Sequence, residues 1–353
     1  MSRPRILGEQ MPHIPRWAAA ARADVPHSGE QLSTAAFSPT GDAPTRPWIP
    51  AQVPGTVLGA LVQNGDVPDP NVGVNSLQVM SRSFFSTLRR QKLTGTGNDV
   101  QVPDIGDTGP ETYTYWFCVS FAVPDVPDSP SAVVRRDAEA SAADRVMWLL
   151  ELEGVNYSFQ LFVNGSAVPV SDGKGMFLRH RIDLCDLIRT DGLNFMAILV
   201  FPPDHYGKIP PGGGQGGDHS LAADVASQFL QGWDWIIAVP DRATGIYGDI
   251  VLRRTGCIQL ADACALTSLS QDALDALALN AMAPVTATIS VSVTLHNQAE
   301  VAMATQLSLQ IAHEDEDDVV VIDIMVSECV TLAAKSSVSY TFKPQPLTNA
   351  QLW

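Results

Sequence analysis

Hydrophobic and polar residues alternate with a period of two along much of this chain. Between 113 and 121 the odd positions read Tyr113, Tyr115, Phe117, Val119 and Phe121, with Thr114, Cys118 and Ser120 among those between them. Trp148, Leu150 and Leu152 alternate with Leu149, Glu151 and Glu153, and Tyr157, Phe159, Leu161 and Val163 repeat the pattern up to an Asn164-Gly165 pair. Successive side chains of a strand point to opposite faces, so these runs predict half-buried strands, and Asn-Gly predicts a tight hairpin turn. Further strands are expected over 176–183, 194–201 and 246–253.

The pattern restarts after Ala283-Pro284. Val285, Ala287, Ile289, Val291, Val293 and Leu295 fall on one side, and Thr286, Thr288, Ser290, Ser292 and Thr294 on the other. Leu307, Leu309 and Ile311 follow, then 319–325, then Val338, Tyr340 and Phe342. Strands at spacings of about ten to twenty residues predict a small β-sandwich. The acidic run from Glu314 to Asp318 reads as a solvated loop tip, since it lacks the spacing and central glycine of a calcium loop.

Helical signal is sparse. Thr56 to Asn64 suits two turns with Val57, Leu61 and Ala60 inward, and Leu221 to Leu230 suits another with Ser220 as N-cap. Helical character also marks 268–280. Two stretches read as mobile surface insertions: 86–111, rich in Gly, Thr and Asp, and 124–144, with prolines and then an Arg/Asp/Ala mix. The fold class expected is therefore all-β, with one sandwich to about residue 257 and a smaller one from about 283.

Composition narrows the function classes. With 353 residues the chain is about two domains long. Its 45% hydrophobic and 17% charged residues are those of a globular protein. An excess of 38 acidic over 22 basic side chains argues against a nucleic-acid surface, which needs a basic stripe. No apolar run is long enough to span a membrane, and Met1 to Pro15 holds no apolar core of a signal peptide. A cytoplasmic location is the default expectation, although Asn156-Tyr157-Ser158 and Asn164-Gly165-Ser166 match the glycosylation triplet, which often arises by chance. Five cysteines (Cys118, Cys185, Cys257, Cys264, Cys329) form no CxxC pair and suit reduced thiols.

Most catalytic signatures are missing. There is no Gly-x-Ser-x-Gly elbow, and His313-Glu314 does not continue into a zinc-protease helix. The Gly212 to Gly217 stretch lacks the Lys-Ser/Thr of a phosphate loop and reads as a tight glycine turn. Asp204-His205 and Asp218-His219 admit a zinc site, but side-chain bonds that shape a Pro- and Gly-rich loop explain them as well. No cofactor or metal is expected. The sharpest local feature is Gly232-Trp233-Asp234-Trp235. An indole stacks on the apolar face of a sugar ring, and a carboxylate takes two bonds from neighbouring hydroxyls. A core Trp pair with a locally bonded Asp fits the same residues.

Ordered motifs carry a resemblance. Val53-Pro54-Gly55-Thr56-Val57, Pro68-Asp69-Pro70 with Gly73 and Asn75, Val163-Asn164-Gly165 and Gly232-Trp233-Asp234-Trp235 resemble glycoside hydrolase family 2, in its β-mannosidase and exo-β-glucosaminidase subgroup. The stretch Pro202-Pro203-Asp204-His205 through Pro210-Pro211 to Gly217-Asp218-His219, and Asp241-Arg242-x-Thr244-Gly245-Ile246, are similar to plant-type mannosylglycoprotein endo-β-mannosidases. The resemblance covers 45–260 by motif and 283–353 by layout. It implies an N-terminal extension over 1–44, a jelly-roll-like, galactose-binding-like sugar domain over 45–260 with the two insertions, a connector over 261–282 and an immunoglobulin-like sandwich over 283–353.

In that family a (β/α)8 barrel with two catalytic glutamates follows, and a Leu-Trp like Leu352-Trp353 leads into it. Neither glutamate has a counterpart here, so no catalytic residue is assigned and the chain alone is expected to be inactive. The substrate-binding residues implied are Asp234 as hydroxyl acceptor with Trp233 and Trp235 as wall, for a β-mannoside or N-glycan-type carbohydrate, beside a barrel supplied in cis. Ile236-Ile237 replaces the family's usual Gly-Pro, and Tyr247 stands where a Trp is common. A stand-alone carbohydrate-binding or structural module is the alternative.

Overall fold

The computed structural model describes residues 17–39, 45–73, 75, 79–80, 102–123, 146–170, 173–207, 223–232, 238–278, 286–314 and 320–347. The chain divides into two units: residues 1–126 with 148–254, and residues 127–147 with 255–353. Each is built mainly of antiparallel sheets with few helices, and the fold is all-β as the alternation predicts.

The strands of the first unit are β1 (Trp17–Ala21), β2 (Ile49–Ala51), β3 (Gly55–Thr56), β4 (Val79–Met80), β5 (Val102–Pro103), β6 (Tyr115–Ala122), β7 (Met147–Leu152), β8 (Ser158–Val163), β9 (Ser166–Val168), β10 (His180–Asp183), β11 (Leu193–Phe201), β12 (Gly245–Ile246) and β13 (Ile250–Thr255). Six of them form one sheet in the order β2-β1-β6-β11-β8-β9, and β10-β7-β13 form a second. Residues 17–21 lie in the stretch that the sequence sets apart as an extension, and they form a strand inside the large sheet. Four successive alanines give no alternation to read, yet Ala18, Ala19 and Ala20 are all buried.

The central strands are not half-buried as expected. Tyr115 to Val119 are buried without a break. Their two faces meet different partners. Trp116 and Cys118 pack with Ala20, Leu32, Phe162, Ala197 and Leu199, and this face is covered by α1 (Gly29–Leu32) and Trp48. Phe117, Val119, Met196 and Ile198 lie on the other face and are buried too, as are Leu150, Leu152 and Leu252 of the second sheet. This is the layering of a sandwich whose outer face is also roofed. The roof is held close: α1 starts on Ser28, which accepts from the Gln31 amide while Gln31 Oε1 accepts from the Ser28 amide, and a Cβ on Gly29 would lie 2.3 Å from the Phe162 ring.

Other local readings fare unevenly. Asn164-Gly165 does turn β8 into β9, both residues at positive φ. Thr56 caps α2 (Val57–Gln63) by accepting from the Gly59 amide, though Leu58 rather than Leu61 is buried beside Val57 and Ala60. The described part of 221–230 is no α-helix but ends in a 3₁₀ turn, Gln228–Gln231, and Ser220 lies outside the described residues. Within 86–111, Val102, Asp104 and Ile105 are core residues, and Asp104 caps α3 (Ile105–Thr108). Their polar surroundings in the sequence hide this, because the Asp104 charge is neutralised by a distant partner.

In the second unit β14 (Ile258–Leu269), β15 (Ala287–Asn297), β18 (Ser337–Thr341) and β19 (Gln345–Leu347) make one sheet, and β16 (Met303–Glu314) pairs with β17 (Val320–Leu332). The core joins Val293 and Leu295 to Leu307, Leu332 and Phe342, with Ile258, Val291, Leu309 and Tyr340 against it. Residues 258–269, at the end of the expected first domain and in the expected connector, form the strand beside β15. The helical signal over 268–280 becomes α4 (Gln271–Ala278), with the Ser270 hydroxyl accepting from the Ala273 amide. The acidic run beyond Glu314 lies outside the described residues. Among the described residues no helix is long and apolar enough to cross a membrane.

Candidate functional site

Trp233, Asp234 and Trp235 lie outside the described residues, as do Asp218 and His219. The chain on either side of the Trp-Asp-Trp segment is described. Gly232, at φ 85°, closes the 3₁₀ turn by donating its amide to the Phe229 carbonyl. The Val239 amide then donates to the Leu230 carbonyl at 2.9 Å, so the ends of the segment are tied together. Leu230 and Met176 pack against Tyr157 and Ala226.

Beneath Val239 lies a buried polar knot formed by Asp241-Arg242-Ala243-Thr244-Gly245. Arg242 and Ala243 take positive φ, a conformation that side chains rarely adopt and that the surrounding bonds hold in place. The Arg242 guanidinium bonds in a fork to Asp104, Nη1 to Oδ2 and Nη2 to Oδ1, each at 3.1 Å. Nη1 also donates to the Val239 carbonyl at 2.6 Å, and Nε to the Tyr206 carbonyl at 2.9 Å. Arg242 thus joins the N-terminus of α3, the chain at Tyr206 and the chain at Val239.

Asp241 points the other way. Its Oδ2 accepts from the Leu58 amide in the first turn of α2, and its Oδ1 from the Ala243 amide, each at 2.9 Å. Full burial pushes this carboxyl up to about 6, against the pull of those amides and of Arg242. Asn156 completes the knot. Its Nδ2 donates to the carbonyls of Arg242 and Ala243, and its backbone exchanges two bonds with Gly245. Gly245 has no room for a side chain: a Cβ would stand 2.5 Å from the Gly55 carbonyl oxygen.

The glycosylation triplets are structural. Asn156 is wholly buried. Asn164 uses both amide hydrogens, to the Leu187 carbonyl and Asn194 Oδ1, while its Oδ1 accepts from the Phe195 amide.

Nearby, Asp204 pairs with Lys174, and the buried Asp224 accepts from the His205 amide at 2.8 Å and sits 2.8 Å from its Nδ1. The Tyr247 hydroxyl donates to the Met176 carbonyl. Among the described residues no three His, Cys, Asp or Glu side chains come together in a way that could hold a metal. Of the residues that the sequence singled out, Asp204 and His205 thus help to shape the loop. In the sequence Asp104 shows no sign beyond the Asp-x-Gly of a helix cap, and Asn156 none beyond its glycosylation triplet.

No protein-family model matches the chain. It is 32% identical over 337 residues to the mannosylglycoprotein endo-beta-mannosidase of Lilium longiflorum, across 96% of this chain and 30% of that protein. It is 26% identical over 317 residues to the exo-beta-D-glucosaminidase of Streptomyces avermitilis, across 88% of this chain and 26% of that protein. Among solved structures, the exo-chitosanase CsxA of Amycolatopsis orientalis superposes with a TM-score of 0.62 at 21% identity, over 97% of this chain and 29% of that one. The chain therefore spans less than a third of the length of these relatives.

Proposed function

We propose that this chain, whose homologues are glycoside hydrolase family 2 enzymes, is the sugar-recognition region of a β-mannoside hydrolase. In this reading Asp234 accepts hydroxyls of the sugar and Trp233 and Trp235 form a wall against it. The unit ending near Arg254 bears the wall, and the second unit is an immunoglobulin-like spacer. Bond making and breaking belongs to a catalytic domain in cis, with this chain contributing recognition only.

The observation that carries the proposal is the alignment to an endo-beta-mannosidase over 96% of the chain, which includes the segment at issue. The buried knot supports it physically. Side chains that meet a ligand are placed best when the chain beside them is fixed by rigid elements, and on either side of 233–237 the Val239 amide is bonded to the Leu230 carbonyl.

Binding of methyl β-D-mannopyranoside by the full chain, measured by ligand-detected NMR, tests the reading. Saturable binding lost in Asp234→Ala supports it. No binding, or binding indifferent to Asp234, overturns it, and turnover of p-nitrophenyl β-mannoside by this chain alone would contradict the non-catalytic role.

A further inference from the structure

We infer that Asn64-Gly65 is a self-modification site of the folded chain, where the side-chain amide is lost to water through a succinimide, while Asn164-Gly165 is locked against the same reaction. Asn64 and Gly65 are both exposed, and a Cβ on Gly65 would meet nothing within 4 Å. They close α2 in a glycine cap. The Asn64 amide donates to the Ala60 carbonyl, that of Gly65, at φ 79°, to Val62, and that of Asp66 to Leu61. The end of so short a helix opens at little cost in free energy. Once the bond to Val62 opens, the Gly65 nitrogen can reach Asn64 Cγ, with no side chain of its own in the way.

The same two residues at the turn from β8 to β9 have no such freedom. Asn164 Nδ2 donates to the Leu187 carbonyl and to Asn194 Oδ1, its Oδ1 accepts from the Phe195 amide, and the Gly165 amide donates to Ser33 Oγ at 3.0 Å. Both the attacking nitrogen and the group attacked are therefore held apart by the sheet.

In the step at position 64 the Gly65 nitrogen gives its proton to solvent and bonds to Asn64 Cγ. The Cγ–Nδ2 bond breaks, and Nδ2 takes up a proton and leaves as ammonia. Water then opens the ring at either carbonyl, leaving aspartate or isoaspartate. Nothing is oxidised or reduced, and solvent water is the only co-reactant. The change matters because Asn64 Nδ2 donates to Asp66 Oδ2 at 2.9 Å, and Asp66 is the partner of Arg46, whose guanidinium holds its carboxyl below the usual range. A carboxylate in place of that donor turns a hydrogen bond into a like-charge contact, at a helix C-terminus where negative charge is disfavoured. Isoaspartate also adds a methylene to the backbone inside the cap, so the end of α2 loosens.

The experiment incubates this 353-residue chain in mildly alkaline buffer, native and in urea. Both Asn-Gly pairs are read by peptide mass spectrometry and by isoaspartyl methyltransferase labelling. The expected native result is conversion of Asn64 about tenfold or more faster than that of Asn164, because a fraying helix end opens far more readily than a turn locked into a sheet. In urea the two rates should converge, and Asn64→Gln, which keeps the amide donor, should abolish labelling at this position. Native conversion of Asn64 no faster than that of Asn164, or a difference that persists in urea, would overturn the inference. Backbone amide exchange in Asn64→Asp reads the consequence: exchange at Gly65 and Asp66 several-fold faster than in wild type supports the loosening, and wild-type exchange there refutes it.

Discussion

Asp104 and Arg242 stand 138 residues apart in the chain and meet as a doubly bonded ion pair whose side chains are 1% and 3% exposed. Neither charge is stable in such a place alone. Removing one partner leaves the other buried and unpaired, which costs about 3–5 kcal/mol. Arg242→Ala is therefore expected to lower unfolding stability by that order, as is Asp104→Ala. The double variant should cost clearly less than the sum, since the two share one interaction. Denaturant unfolding of the four proteins measures this, and additive losses would show that the pair is not coupled.

Asp241 predicts a dependence on pH. Burial raises its folded-state value from 3.8 to about 6. Below 3.8 the carboxyl is protonated in both states and costs nothing. As the pH rises from 3.8 towards 6 the unfolded chain gives up the proton while the folded chain retains it, so stability falls; above 6 the loss is complete. The full effect is on the order of 3 kcal/mol. Subtracting the pH profile of Asp241→Asn from that of wild type should reveal this decline. A difference that is flat between pH 4 and 7 would mean that the carboxyl titrates normally.

Much of this knot was hidden in the sequence, and the reasons are specific. Alternation at Phe117, Leu150, Leu161 and Leu295 made the all-β class legible, because period two survives wherever a strand has two unlike faces. It failed for Trp17–Ala21, where alanines suffice under a close-packed roof, and for Trp116 and Cys118, whose face looks outward in a plain sandwich but is covered here by Leu32 and Trp48. Asp104 read as part of a polar insertion because no local pattern announces a partner 138 residues away. The Asp241-Arg242-x-Thr244-Gly245 motif could be noticed by resemblance alone. Its role as the anchor of Val239 and α2 came only with the bonds.

The buried amide of Asn156 carries a third prediction. A glycan cannot be attached to a side chain whose Nδ2 is enclosed and bonded to two carbonyls. Folded protein secreted from a glycosylating host should carry no glycan at Asn156, as read by peptide mass spectrometry. Asn156→Ala should cost about 1–3 kcal/mol, because it strands the carbonyls of Arg242 and Ala243. Glycan on Asn156 in folded protein would refute the burial.

Thiol reactivity separates the cysteines. Cys264 and Cys329 are exposed, while Cys118 is enclosed between strands β1 and β11, where burial pushes its thiol well above the usual range. A thiol reagent at pH 8 should label Cys264 and Cys329 quickly and reach Cys118 only on unfolding. Rapid labelling of Cys118 in native protein would contradict the packing of the large sheet.

Recognition of a β-linked sugar through Asp234 is what we propose for this chain. Equilibrium binding of methyl β-D-mannopyranoside to this 353-residue chain, wild type beside Asp234→Ala, is the measurement that decides it. A charge-assisted hydrogen bond contributes about 1.5–3 kcal/mol, so the expected result is saturable wild-type binding that weakens about tenfold or more in the variant while the fold is retained. Equal affinity in the two proteins, or no binding by wild type, would contradict it.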